Sequence, residues 1–215
     1  LNIEGRVEPV TLSDVTLCVE GVDGRPVKGQ FTIAHQEIAK RPKIWLEPTA
    51  VANPAAVRAI LRADLVVVAP GNLYGSLAPV LVIDGIRRAL HETRAKCVYV
   101  CNLVTKPGPT DGFTVKDFAS EIERLAGGEF LDYVVFNNDE PSPELMEKYA
   151  HGGELVVKYD LNELRRQHYE FRGVPILAKQ AWTGAQASDP IASARSFIRH
   201  DSDAVARQLM RLYFA

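Results

Sequence analysis

No apolar run in this sequence approaches the roughly 20 residues that a membrane-spanning helix needs, and no signal peptide opens it. Neither membrane insertion nor export is expected. Cysteine is scarce: Cys18, Cys97 and Cys101 are an odd number without a CxxC pair. That pattern argues against a disulfide framework and fits buried thiols in a reducing, cytoplasmic setting. Neither sign of charge is in excess, with 25 Lys and Arg against 27 Asp and Glu for a net charge of −2. This balance argues against a strong non-specific attraction to nucleic acid or anionic lipid. A glycine-rich dinucleotide fingerprint, a Walker loop and an HExxH motif are all missing. No nucleophile–base pair and no His/Cys cluster with metal spacing is found, so no catalytic or metal-binding residue and no firm cofactor is assigned. The histidines His35, His91, His151, His168 and His200 are scattered and read as surface or capping residues.

What remains, 215 residues of which 47% are hydrophobic and 24% charged, suffices for one large domain or two small ones. The chain begins at Leu1, without methionine and at once in strand-like sequence. An upstream segment is therefore expected.

One stretch organises the rest. Residues 63–76 read Ala-Asp-Leu-Val-Val-Val-Ala-Pro-Gly-Asn-Leu-Tyr-Gly-Ser. Leu65 to Val68 is apolar without alternation, which suits a parallel strand buried on both faces. It stops at Pro70-Gly71-Asn72, and residues 80–90 resume at helical spacing. Strand, glycine turn and helix in that order place the turn at the carboxyl edge of a sheet, where open α/β sheets bind ligands. Pro70-Gly71 either simply turns the chain or offers backbone N–H groups to an anion.

The pattern recurs twice. Residues 97–101 form a strand with Cys97 and Cys101 on one face, followed by a long polar loop to Gly112 and a helix capped by Thr114 and Asp117. Residues 133–136 form another strand, then Asn137-Asn138-Asp-Glu-Pro, then a helix capped by Ser142 that runs to Tyr149. The three strands end in Asn72, Asn102 and Asn137. Asparagine supplies both a donor and an acceptor, so three on one edge point to a polar pocket.

Elsewhere, residues 15–20 and 27–33 read as strands joined by an Asp23-Gly24 hairpin turn. Residues 43–46 are a short apolar run. Asn53-Pro54 opens a helix whose apolar residues Val57, Ile60 and Leu61 share a face. Residues 155–159 read as a further strand, residues 160–195 are weakly patterned, and residues 183–196 are small, polar and suited to a mobile segment. A last helix spans residues 204–212, capped by Asp201 or Ser202. Arg199, just ahead of it, is placed either to meet a phosphate or to sit in solvent.

These motifs resemble those of the CofD/YvcK-like proteins, the UPF0052 group. The likeness runs from Val7-Glu-Pro-Val-Thr11 through residues 63–76, Tyr99-Val-Cys-Asn-Leu-Val-Thr105, Pro107-Gly108 and Asp111-Gly112 to Ile198-Arg-His-Asp201. The Arg-His-Asp ending and Val-Cys-Asn-Leu-Val-Thr look more like the YvcK branch. The resemblance implies a Rossmann-like α/β fold, a parallel sheet flanked by helices, with the antiparallel hairpin region added. It also implies a single domain over residues 1–215 that lacks its N-terminal glycine-loop segment. YvcK-like proteins are bacterial cytoplasmic factors for gluconeogenic growth, cell shape and wall synthesis, and they bind UDP-sugars. Their nucleotide-sugar is tied to a tyrosine and an arginine matching Tyr149 and Arg199. The three strand-loop units, taken with this resemblance, give an expected ligand-binding set of Gly71, Asn72, Ser76, Asn102, Thr105, Asp111, Asn137, Asn138, Tyr149 and Arg199. The implied partner is a small-molecule nucleotide-sugar, with a homodimer possible for the family. An alternative is a CofD-like transferase moving a phospholactyl group onto a deazaflavin precursor with a divalent metal, for which Asp111 and Asp117 are isolated candidates. A third is a scaffold that binds only a protein partner. Two loops depart from the family pattern. Its Gly-Pro-Gly-Ser-Leu-Tyr-Thr-Ser appears as Ala69-Pro-Gly-Asn-Leu-Tyr-Gly-Ser76, and its Gln-Pro-Gly-Glu-Thr as Lys106-Pro-Gly-Pro-Thr110.

Overall fold

The structure, a computed structural model, describes residues 5–35, 37–151, 153–178 and 198–215. Strands β1 (Thr16–Glu20) and β2 (Pro26–Lys28) pair antiparallel around Asp23-Gly24, as the hairpin signal predicts. The second strand stops short of residue 33. Gly29, at φ 86°, turns the chain into helix α1 (Gln30–His35), through a left-handed conformation that a strand cannot continue. The apolar run becomes β3 (Ile44–Glu47), completing an antiparallel sheet of order β2-β1-β3. Helix α2 (Pro54–Arg62) starts where expected, with Asn53 accepting the N–H of Ala55. Ala56, Val57 and Ile60 face the core, whereas Leu61 is rotated off that face and exposed.

The second sheet is parallel and runs in chain order: β4 (Leu65–Val68), β5 (Lys96–Val100), β6 (Tyr133–Asn137) and β7 (Glu170–Val174). Helices cover both of its faces. Tyr99, Cys101, Val134 and Phe136 belong to the main core with residues of α4 (Asp84–Glu92) and α5 (Val115–Ala126). Val98, Val100 and Val135 pack with Leu212 of α8 (Ser202–Phe214). The main core also takes in Leu17 and Val19 of the antiparallel sheet. The chain is thus α/β, as expected. Its three cysteines are buried free thiols. Burial, with the charge of Asp132, pushes the Cys97 thiol up to about 11, and burial pushes Cys101 up to about 12.

Three sequence expectations are corrected. Among the described strands β4 pairs only with β5, so it is an edge strand, and Val67 is 38% exposed rather than buried on both faces. Residues 80–90 are not one helix. A wide π-helical turn (Leu73–Leu77) runs into α3 (Ala78–Leu81), the chain extends at Ile83, and α4 begins at Asp84. Pro79 sits in the first turn of α3, where a missing N–H is harmless. Finally, residues 155–159 are extended but make only single bridges, Val104 with Val156 and Thr114 with Lys158.

The fourth parallel strand is β7, reached after α6 (Pro143–His151) and the short α7 (Leu161–Leu164). The small, polar residues 183–196, expected to be a mobile segment, lie outside the described residues. No described helix is long and apolar enough to cross a membrane.

Candidate functional site

Parallel pairing brings the ends of β4, β5 and β6 to one edge of the sheet. Each is followed by one of the polar loops. Asn72 opens the π-helical turn: its Oδ1 accepts the Gly75 N–H at 2.9 Å, and its carbonyl accepts from Ser76 at 2.8 Å and Leu77 at 3.1 Å. Wide turns of this kind recur at functional sites. Asn102 fastens this turn to the next loop. Its Nδ2 donates to the Gly71 carbonyl at 2.8 Å, and its Oδ1 accepts from the Tyr99 hydroxyl at 3.1 Å. Asn137 donates to the Asp139 carbonyl at 2.6 Å and accepts the Ile176 N–H at 3.2 Å. Asn138 donates to the Gly173 carbonyl at 3.2 Å. The three strand-end asparagines therefore shape the edge through backbone contacts.

Two cavities open there. The first, of about 290 Å³, is walled by residues 71–75 and by the loop from Asn102 to Thr110, with Ile33, Ile38 and Phe118 as apolar lining. Gly71, Asn72 and Asn102 line it. Lys106 is the one charged residue among the described residues that line it. The second, of about 850 Å³, lies beyond β6 and is lined by Asn137, Asn138 and Tyr149 with Leu155 and Tyr159. Thr105 stands in the wall between them. It is buried, its N–H donates to the Leu155 carbonyl at 2.7 Å, and its Oγ1 accepts the Leu155 N–H at 3.1 Å. Of the expected site residues, Gly71, Asn72 and Asn102 line the first cavity and Asn137, Asn138 and Tyr149 the second, on either side of this pairing.

Ser76, Thr105, Asp111 and Arg199 line neither cavity. Ser76 is exposed on the π-helical turn, and Asp111 accepts the Gly108 N–H at 2.9 Å within its own loop. Arg199 is half-buried, and its carbonyl accepts the Ala178 N–H at 2.9 Å. Its neighbour Ile198 donates its N–H to the Tyr149 hydroxyl at 2.6 Å, so the two residues implied by the resemblance lie on joined segments. His200 Nε2 meets the Cys101 carbonyl at 3.0 Å, and Asp201 caps α8 by accepting the Ala204 N–H at 2.9 Å. The Arg-His-Asp motif therefore ties α8 to the carboxyl end of β5. Burial lowers the His200 pKa, and the bond to the Cys101 carbonyl opposes that shift.

Sequence reasoning missed the support beneath the first cavity. Glu121 is fully buried; it accepts from the Tyr74 hydroxyl at 2.9 Å and from Arg124 at 2.8 and 2.6 Å. Arg124 also donates to the Pro42 carbonyl at 2.9 Å. One carboxylate so joins the π-helical turn, α5 and the loop before β3. The available signal was a glutamate on the apolar stripe of α5, three residues after Phe118 and four before Leu125. Burial first, then the Glu121 charge, pushes the Tyr74 hydroxyl well above its ordinary pKa. Among the described residues, the two carboxylates suggested for the transferase alternative's metal are engaged elsewhere. Asp117 completes the capping box with Thr114 and pairs with Arg41 at 2.8 Å, Asp111 closes its own turn, and no group of three metal-ligating side chains occurs among the described residues.

A profile of the family described as 2-phospho-L-lactate transferase CofD matches residues 1–177. The chain belongs to the CofD/UPF0052 family. Within it, this CofD-family chain is 31% identical over 214 residues to the gluconeogenesis factor of Bacillus subtilis, covering 99% of this chain and 62% of that one. It is 36% identical over 214 residues to a Clostridium acetobutylicum protein provisionally named gluconeogenesis factor, covering 98% of this chain and 44% of that one. These relatives place it on the gluconeogenesis-factor (YvcK) branch. A crystal structure of a UPF0052 protein from Bacillus halodurans superposes with a TM-score of 0.82 at 27% identity, covering 98% of this chain and 63% of that one. The chain spans about half to two thirds of the length of these relatives, 44% of the Clostridium acetobutylicum protein and 62% of the Bacillus subtilis one.

Proposed function

We propose that this CofD-family chain is the core of a regulatory protein that binds a nucleotide-sugar, a UDP-sugar in the first instance, and acts in gluconeogenic growth, cell shape and wall synthesis. The observation that carries this reading is the cavity between residues 71–75 and the Asn102–Thr110 loop at the carboxyl edge of the parallel sheet. It has both polar and apolar lining and lies where open α/β sheets receive nucleotides. The second cavity, with Asn137, Asn138 and Tyr149, gives room on the same edge for the rest of a two-part ligand. The names of the relatives support the regulatory reading. The name of the family profile supports the alternative, phospholactyl transfer to a deazaflavin precursor.

Calorimetry on the full-length protein with UDP-N-acetylglucosamine separates the two readings. The sensor reading expects saturable binding with no turnover. Turnover of a lactyl-diphosphonucleoside with a deazaflavin acceptor, and no UDP-sugar binding, would replace it with the enzyme reading.

A further inference from the structure

We propose that Lys106 receives an anionic group of the ligand, phosphate or carboxylate, in the 290 Å³ cavity, and that it does so by leaving Glu154. This deepens the nucleotide-sugar reading and rests on it. Among the described residues lining that cavity, Lys106 is the one with a charged side chain; the remaining walls are backbone, amide, hydroxyl and apolar groups.

Its main chain is fixed. The Lys106 N–H donates to Thr110 Oγ1 at 2.7 Å, and the same hydroxyl donates back to the Lys106 carbonyl at 3.0 Å. Thr110 is 3% exposed, so the neck of the loop is closed and buried. The side chain is held far less. It is 61% exposed, and its Nζ lies 3.7 Å from Glu154 Oε1. Glu154 is 24% exposed, but at 3.7 Å and with the ammonium in solvent the pair is long and loosely held. Charge-assisted hydrogen bonds to an oxyanion inside a partly enclosed cavity are stronger. An ammonium on a fixed base can therefore exchange its loose carboxylate for a ligand oxygen.

The exchange has a second consequence. Glu154 precedes the segment that pairs with residues 103–105 and walls the second cavity. Releasing Glu154 thus couples occupancy of the first cavity to the wall of the second.

The test is calorimetry on the full-length protein with UDP-N-acetylglucosamine, UDP-glucuronate and inorganic pyrophosphate, using wild type, Lys106→Gln, Lys106→Arg and Glu154→Gln. Lys106→Gln is expected to weaken UDP-N-acetylglucosamine by at least about ten-fold without moving the ligand-free thermal midpoint. Lys106→Arg should retain binding, and Glu154→Gln should tighten it by removing the competing carboxylate. Equal losses for both UDP-sugars assign the contact to the diphosphate, and a larger loss for UDP-glucuronate assigns it to the sugar carboxylate. Binding of both UDP-sugars unchanged in Lys106→Gln, or weakened in Glu154→Gln, overturns the assignment and leaves the nucleotide-sugar reading standing. Pyrophosphate binding that depends on Lys106, with no UDP-sugar bound, keeps the assignment and overturns that reading.

Discussion

Glu121 is the residue on which the floor of the first cavity depends. A carboxylate with no exposed surface persists because Arg124 neutralises it and the Tyr74 hydroxyl fills a remaining acceptor site. Breaking a fully buried pair from one side costs about 3–5 kcal/mol. Arg124 is 42% exposed and can rehydrate, so Glu121→Leu is expected to lose about 2 kcal/mol in urea unfolding. Tyr74→Phe should lose only about 1 kcal/mol, the net value of one hydrogen bond. Equal losses would mean that the hydroxyl, not the ion pair, holds the turn. His200 yields a pH prediction. Its folded pKa is depressed by burial, so the unfolded chain takes up a proton first as pH falls below about 6.5. Stability should therefore drop below that pH and level off once the folded imidazole also protonates. The drop should shrink in His200→Gln relative to wild type. Asparagines at strand ends were readable from sequence because turn chemistry is local. Tyr74, Glu121 and His200 were not, since their partners lie 47, 47 and 99 residues away.

Elements were legible where their signals were short-range. The Asp23-Gly24 hairpin, the Asn53-Pro54 start of α2, the Thr114–Asp117 capping box and the Asp201 cap all stand where composition put them. β7 was hidden, because Arg172 and Gly173 interrupt its apolar pattern. Gly173 is there for its neighbour: a Cβ would lie 2.8 Å from the Phe136 ring, which is itself 1% exposed. Gly173→Ala should accordingly destabilise by about 1–3 kcal/mol through overpacking. Phe136→Leu in the same chain should recover part of that loss, giving a non-additive double-mutant cycle. Additive losses would mean that the ring moves aside freely. The extended residues 155–159 misled for the opposite reason. An apolar, β-branched run reads as a sheet strand, yet here it lines a cavity and walls off its neighbour with single bridges.

For the molecule as a whole, the parallel order β4-β5-β6-β7 decides where ligand chemistry can gather. It delivers three polar loops to one edge, which the sequence announced through Asn72, Asn102 and Asn137. What the sequence did not announce is the division of that edge by the Thr105–Leu155 pairing into two cavities of about 290 and 850 Å³. That division depends on contacts across 50 residues and has no local signature. A polar cavity of about 600 Å³ also lies at the opposite, amino edge, lined by Lys96, Tyr133 and Glu170 at the strand starts. The ligand's place on the carboxyl edge is therefore as testable as its identity. Hydrogen exchange of the full-length protein with and without UDP-N-acetylglucosamine tests both at once. Binding as described predicts slowed exchange in residues 71–77 and 102–112, with the amino edge unchanged. Protection confined to the amino edge, or no protection at saturating ligand, would contradict it.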